Sequence, residues 1–178
     1  ALPISATRQG DSVVLDASKS WVTSAGEAQS YVWTSRPADA DAGASLWLVP
    51  SDAAGLRVAA VYDGLGLRGN ASSPIKADGV SIPAGALLGN DGGGLDIALG
   101  VVLPVFQILN ASCSLGLMDA AVGRAIEHAR TTRFEHLDQA LADQQVTRQH
   151  LARATNLLGA ASTLVDDAVA ALATGRAD

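Results

Sequence analysis

Cysteine is almost missing from this sequence. Cys113 is the one thiol in 178 residues, so no internal disulfide can form. The fold must rest on buried apolar surface, and a reducing, cytoplasmic location is the expectation. Lysine is nearly as scarce, with only Lys19 and Lys76. The net charge is −6 and the arginines form no stripe. A nucleic-acid groove needs clustered cations to displace counterions, so nucleic acid is not an expected partner. His128, His136 and His150 have no metal-ligand spacing and no cysteine pair to assist them, so no metal site is predicted. No GxSxG elbow occurs, and Cys113 lies in an apolar stretch without a neighbouring base. A buried, inert thiol is expected there. Ala1-Leu2-Pro3 carry neither the charged nor the apolar part of a signal peptide, and the chain reads as starting inside a longer protein.

Charge is also missing between Asp96 and Asp119. That run is long enough to cross a bilayer as a helix. It holds Pro104, Gln107, Asn110, Ser112 and Ser114, and no lysine or aromatic belt flanks it. A fully buried helix of a soluble protein is the expectation, with no membrane partner.

What is present falls into two halves. Residues 1–91 read as β. Ser12–Leu15 is a short strand, and a turn at Asp16-Ala17-Ser18 leads into Lys19–Ser24. Ser30–Thr34, Ser45–Val49, Leu56–Val61, Ser73–Ala77 and Val80–Pro83 follow, rich in aromatic and β-branched residues. Short strands at this spacing predict an antiparallel β-sandwich or barrel. Gly92-Gly93-Gly94 reads as flexible backbone feeding a helix, and residues 92–178 read as helical. One helix is predicted over about 95–129, with Pro104 kinking it or marking a late regular start. A charged connection from Thr131 to Leu141 leads to a second helix, with Asp143 as its N-cap and Thr174-Gly175-Arg176 as its stop. The fold class is therefore α+β: a β domain, then a long antiparallel helical hairpin belonging to a larger bundle.

Few motifs bear on chemistry. Gly64, Gly66 and Gly69 match GxGxxG spacing, but strands rather than a helix follow, so a dinucleotide loop is not predicted. Trp21 and Thr23 are two apart in a strand context and share a face. A ring beside a hydroxyl suits a planar heteroaromatic ligand. It equally suits a core tryptophan followed by a good strand former. The residues alone leave both readings open, and they define no catalytic acid, base or nucleophile.

Four segments, in order, resemble the acyl-CoA dehydrogenase family of flavoproteins. Leu15–Ala28 (LDASKSWVTSAGEA) is similar to the family's L-x-G-x-K-x-W-I-T-N/S-A-G-x-A strand pair. Leu65–Ser72 (LGLRGNAS) resembles LGxRGSxT. Val80–Ala84 with Leu88-Gly89 and Gly92–Gly94 resembles V-x-V-P-x-x-x-x-L-G-x-x-G-x-G. Leu115-Gly116-Leu117 and Ala125–Ala129 follow the family's first long C-terminal helix.

The resemblance implies FAD as cofactor and acyl-CoA as substrate. It implies α,β-dehydrogenation of an acyl-CoA thioester, as in fatty acid metabolism, by a homo-oligomer (dimer or tetramer). It places Trp21, Val22 and Thr23 against the flavin, with the Thr23 hydroxyl at its N5 edge. The family's Arg-x-x-Phe-Gly, which reaches a neighbouring subunit's FAD, is partly matched by Arg130–Glu135, with Arg130 or Arg133 as the arginine, Phe134 as the aromatic and Glu135 where the glycine belongs. A glutamine at the next helix start matches Gln145. A flavin-site motif and the final helices have no counterpart in these residues. The alternative catalytic glutamate falls near Phe106-Gln107, where there is no carboxylate, so no catalytic base is assigned. A non-catalytic assembly subunit, or a flavin-dependent monooxygenase on the same fold, are the other readings the resemblance allows.

Overall fold

The computed structural model describes residues 4–176; the signal-peptide reading of Ala1–Pro3 lies outside them. The chain divides into two compact units between Val101 and Val102.

The first unit holds strands β1 (Ile4–Gln9), β2 (Ser12–Val22), β3 (Ser30–Ser35), β4 (Ser45–Pro50), β5 (Leu56–Val58), β6 (Ser73–Pro83) and β7 (Leu87–Leu88). They form two antiparallel sheets, ordered β1-β2-β6-β5 and β3-β4-β7. Alternation drives this packing. In β3, Tyr31, Trp33 and Ser35 point inward while Ser30, Val32 and Thr34 face out. Val13, Leu15, Ile75, Val80 and Ile82 of one sheet share a core with Tyr31, Trp33, Trp47 and Val49 of the other. Trp33 pairs with Trp47 across the ladder, and Trp47 Nε1 donates to the buried Ser35 Oγ at 2.8 Å. The Lys19 ammonium donates to the Thr34 carbonyl at 2.6 Å and sits 5.4 Å from the Trp33 ring centre, which ties the two sheets. Burial lowers its pKa.

Three sequence expectations change here. The turn predicted at Asp16–Ser18 does not form, because β2 runs straight through it. The irregularity lies on the facing strand, where Asp78-Gly79 stand opposite Asp16. Gly79 takes φ +63° and donates its N–H to Asp16 Oδ1 at 2.8 Å. For the same reason Ser73–Ala77 and Val80–Pro83 are one strand, not two. The strand predicted over Leu56–Val61 ends at Val58.

Gly92-Gly93-Gly94 is close-packed rather than flexible. Gly93 bridges Ala44, and a Cβ on Gly94 would lie 2.7 Å from the Ala44 carbonyl oxygen and 2.9 Å from Leu46. Only glycine lets the backbones approach this closely. A short helix α1 (Gly94–Ile97) and one π-helical turn (Ala98–Val102) follow.

The second unit is a helical hairpin. Helix α2 spans Leu103–Thr131 and α3 spans Gln145–Thr174. Pro104 sits in the first turn of α2, where its missing N–H costs nothing, so the late start is what the proline produces. Between the helices, β8 (Arg133–Phe134) and β9 (Gln139–Ala140) pair as a small ribbon that the sequence reading did not anticipate. Asp143 is not the N-cap of α3; Gln144 is. The Asp143 carboxylate instead accepts the Ala140 N–H at 2.8 Å and closes the preceding 3-10 turn. Gly175 ends α3 at φ +67° as expected.

Ile108, Ala111, Leu115, Val122 and Ile126 of α2 are half-buried, as are Leu151, Ala154, Leu158, Ala161 and Val165 of α3. Steps of three, four and seven mark one seam per helix. Two helices can cover only that seam. The charge-free run was expected to be buried, but Leu99, Phe106, Leu109 and Leu117 are 60–72% exposed within this chain. Cys113 is likewise exposed rather than buried. By length and composition alone, Gly94–Thr131 and Gln145–Thr174 could each cross a membrane.

Candidate functional site

Trp21 stands on a β-bulge. Lys19 pairs with Ile75 and Val22 with Ser73, so Ser20 and Trp21 together face Pro74. The bulge turns the indole outward, and Trp21 is 75% exposed. Val22 points inward against the sandwich core. Thr23 is exposed in the turn just beyond the strand. The alternation expected of a regular strand is interrupted here: Ser20 and Trp21 are both exposed at the bulge, and Thr23 lies beyond the end of β2. The core reading of Trp21 does not hold, since Trp33 and Trp47 fill the core.

The turn after Thr23 is pinned to the second motif. Ser24 N–H donates to the Asn70 carbonyl at 2.8 Å, and Ala25 N–H to the Ala71 carbonyl at 3.2 Å. Gly26 N–H donates to the Tyr31 hydroxyl at 2.8 Å. Ser24, Leu67 and Ala71 all have left-handed φ, between 48° and 56°. Non-glycine residues hold that conformation at a cost, and such strain concentrates at functional sites. The segment Gly64–Gly69 makes a 3-10 turn at Arg68–Asn70 and then enters β6, so it is no dinucleotide loop.

Tyr62 is the residue the sequence reading missed. Its ring meets Trp21 edge-on, at 6.4 Å between centroids and 81° between planes. The two rings line an open cleft of about 440 Å³ with Ser18, Ser20, Ser72 and Pro74. An aromatic residue just ahead of a glycine-punctuated loop was the available signal.

A second knot fixes the other end of the β domain. Asp91 accepts backbone N–H groups from Ala38, Asp39 and Ala40 at 2.8–3.1 Å, and the Ser45 hydroxyl at 2.5 Å. Gly92 N–H donates to Ser45 Oγ at 2.8 Å. Burial works against ionisation of Asp91. The Ser45 hydroxyl and the N–H groups of Asp39, Ala40 and Ala38 outweigh it and lower the pKa to about 2. This carboxylate is structural: its acceptor capacity is spent on its own chain.

In the hairpin, Arg133 donates to the Asp138 carboxylate at 2.7 Å and to its carbonyl at 3.2 Å. Asp138 takes φ +51° to allow it. Phe134 is half-buried, with His136 edge-on at 6.3 Å. Gln145 is exposed as the first residue of α3. Arg133 and Phe134 thus share one ribbon, and Gln145 begins the next element. A groove of about 450 Å³ between α2 and α3 is lined by Pro104, Gln107, Ile108, Leu164 and Val165 among others. Its lining includes no carboxylate, and Gln107 contributes an amide where a base was sought. No cluster of three or more metal-binding side chains occurs among the described residues.

A β-sandwich followed by a long helical hairpin is the architecture of solved acyl-CoA dehydrogenases. The butyryl-CoA dehydrogenase of Megasphaera elsdenii superposes with a TM-score of 0.91 at 23% identity, over 99% of this chain and 46% of that one. A glutaryl-CoA dehydrogenase of Mycobacterium smegmatis in complex with FADH2 gives 0.76 at 24% identity, over 93% and 41%. The chain belongs to the acyl-CoA dehydrogenase family: it matches the family's middle domain over residues 3–80 and its C-terminal domain over residues 92–178. Cyclohexane-1-carbonyl-CoA dehydrogenase of Geobacter metallireducens is 30% identical over 166 residues, which cover 93% of this chain and 43% of that protein. The chain spans 30–43% of the length of the curated relatives it matches. Members of the family bind FAD. The residues at the β2 end fit such a ring system: an indole three-quarters exposed, with a second aromatic and an exposed hydroxyl close by in sequence.

Proposed function

We propose that the protein of which these residues form part is an FAD-dependent oxidoreductase that introduces an α,β double bond into an acyl-CoA thioester. The observation that carries this reading is the outward-facing Trp21 at the end of β2, with Thr23 exposed two residues further on. FAD, when bound, supplies the acceptor for the hydride that leaves the acyl β-carbon. Trp21 offers an apolar face for the ring, and Thr23 a hydroxyl that can donate to a ring nitrogen. Val22, packed inward, anchors both. Arg133, Phe134 and Gln145 are proposed to serve a cofactor held with a second subunit of a homo-oligomer. The α-proton needs a base, and Gln107, an amide, cannot serve as one. The base is therefore proposed to come from residues outside these 178. A cytoplasmic setting is part of the same proposal and rests on the single cysteine.

A non-catalytic assembly subunit is the second reading, and the carboxylate-free groove at Gln107 favours it. Purified full-length protein separates the two. The dehydrogenase should show flavin absorbance bands that bleach anaerobically on addition of an acyl-CoA. Flavin bands that do not bleach with any chain length would sink the dehydrogenase reading. The 178 residues alone are expected to bind FAD weakly or not at all, and tight stoichiometric binding in equilibrium dialysis would contradict that.

A further inference from the structure

Trp21 has little to hold its ring in place. Three quarters of the residue is exposed, and the bulge that carries it lifts it off the sheet. Among the described residues its one ring contact is the edge of Tyr62. Tyr62, in contrast, is fixed from both sides. Its hydroxyl donates to the Gly66 carbonyl at 2.6 Å. Gly64 leaves no room for anything but hydrogen beside it: a Cβ there would fall 2.1 Å from the tyrosine oxygen and 2.3 Å from the ring carbon that bears it. Arg68 closes the loop around the tyrosine, donating to the Gly64 carbonyl at 3.1 Å and pairing with Asp63 at 2.9 Å. The loop is thus closed on itself, and it presents a held aromatic ring to an indole that is three-quarters exposed.

We propose that Tyr62 is a positioning residue: it sets the plane of the Trp21 indole so that the cleft between them receives a flat ring system with the indole already oriented. The proposal rests on the reading that Trp21 contacts the flavin. An aromatic edge contact is worth little in absolute stability but removes rotamer freedom before binding. That is the behaviour expected of a residue that supports a contact without making it.

The test is a double-mutant cycle on full-length apo-protein, read as FAD affinity and, separately, as thermal midpoint. Tyr62→Ala should weaken FAD binding about three- to tenfold with the apo-protein midpoint unchanged. In a Trp21→Ala background the same substitution should change affinity less than twofold, because the residue it orients is gone. Tyr62→Phe, which keeps the ring edge, should restore binding to within about twofold. If Tyr62→Ala does not fold, Tyr62→Leu, which fills the loop without an aromatic edge, takes its place in the cycle. Equal losses in both backgrounds would overturn the positioning role, as would no loss from Tyr62→Ala while Trp21→Ala weakens binding. Unchanged FAD affinity on Trp21→Ala would instead remove the underlying reading of Trp21, and the proposal with it.

Discussion

Pro74 of β6 lies opposite the Ser20-Trp21 bulge of β2. Its carbonyl accepts the Ala59 N–H at 2.7 Å. The N–H and C=O of one strand residue point to the same neighbour, so the donor that proline lacks would also face Ala59 and not the bulge. The extra residue therefore belongs to β2 and does not depend on the proline. Pro74→Val adds a donor on the Ala59 side only. The expected result in the full-length protein is an FAD affinity within about twofold of the parent. A severalfold loss would mean that the proline ring holds the bulge open.

Asp91 makes the β domain acid-sensitive in a defined window. Its pKa is about 2 in the folded chain against an ordinary value of 3.8. A depressed carboxylate contributes stability that is complete above the ordinary value and is lost as pH falls through the folded one. Stability should therefore drop between about pH 4 and pH 2 on account of this residue. Asp91→Asn should cost about 1–2 kcal/mol at neutral pH and flatten that part of the profile. Chemical denaturation at a series of pH values measures both.

Ser35 is buried and accepts the Trp47 indole N–H. Ser35→Ala would leave that donor unpaired beside Trp33, whose own Nε1 already has no hydrogen-bond partner. A loss of about 1–3 kcal/mol is expected. Ser35→Thr, which keeps the hydroxyl that accepts the indole N–H, should lose less. Urea midpoints of the two variants decide it.

The outer face of α2 should drive association of these 178 residues in isolation. Phe106 and Leu109 are 61% and 60% exposed, within a stretch of α2 that carries no charge. An apolar patch of this kind marks an interface. Light scattering should report species larger than a monomer, and Phe106→Glu with Leu109→Glu should shift the mass downward. A monodisperse monomer at high concentration for the parent chain would refute this.

How legible the molecule was depended on the range of the contact involved. Strands β3 and β4 were readable because alternating aromatics carry their own signature: the expected Ser30–Thr34 and Ser45–Val49 each fall one residue short of the observed end. The end of α3 at Gly175 was local too. The failures were contacts between distant residues. Asp16 looked like a turn because the bulge that absorbs it sits more than sixty residues away, at Gly79. Gly92–Gly94 looked flexible because the backbone they press against belongs to Ala42 and Ala44. Cys113 and the apolar run looked buried because hydropathy does not say how many helices are present to cover them. At the site, the bulge opposite Pro74 and the end of β2 at Val22 leave Trp21 and Thr23 exposed, and simple alternation shows neither. Nothing local could pair Trp21 with Tyr62.

The two irregularities of the β2–β6 ladder have opposite sense. At Asp78-Gly79 the extra residue belongs to β6, and at Ser20-Trp21 it belongs to β2. Between them the strands run one residue out of phase with the pairing on either side, and the second restores the phase that the first removed. Each bulge is nevertheless closed where it occurs. A residue deleted at Gly79 would leave Asp78 alone opposite Asp16, with Ala17–Ala77, Ser18–Lys76 and Lys19–Ile75 paired as before. A residue deleted at Ser20 would leave Trp21 alone opposite Pro74, with Val22–Ser73 paired as before. The sheet therefore absorbs a change of length in either strand at the bulge itself, and the faces of Trp21 and Val22 are indifferent to what happens at Gly79.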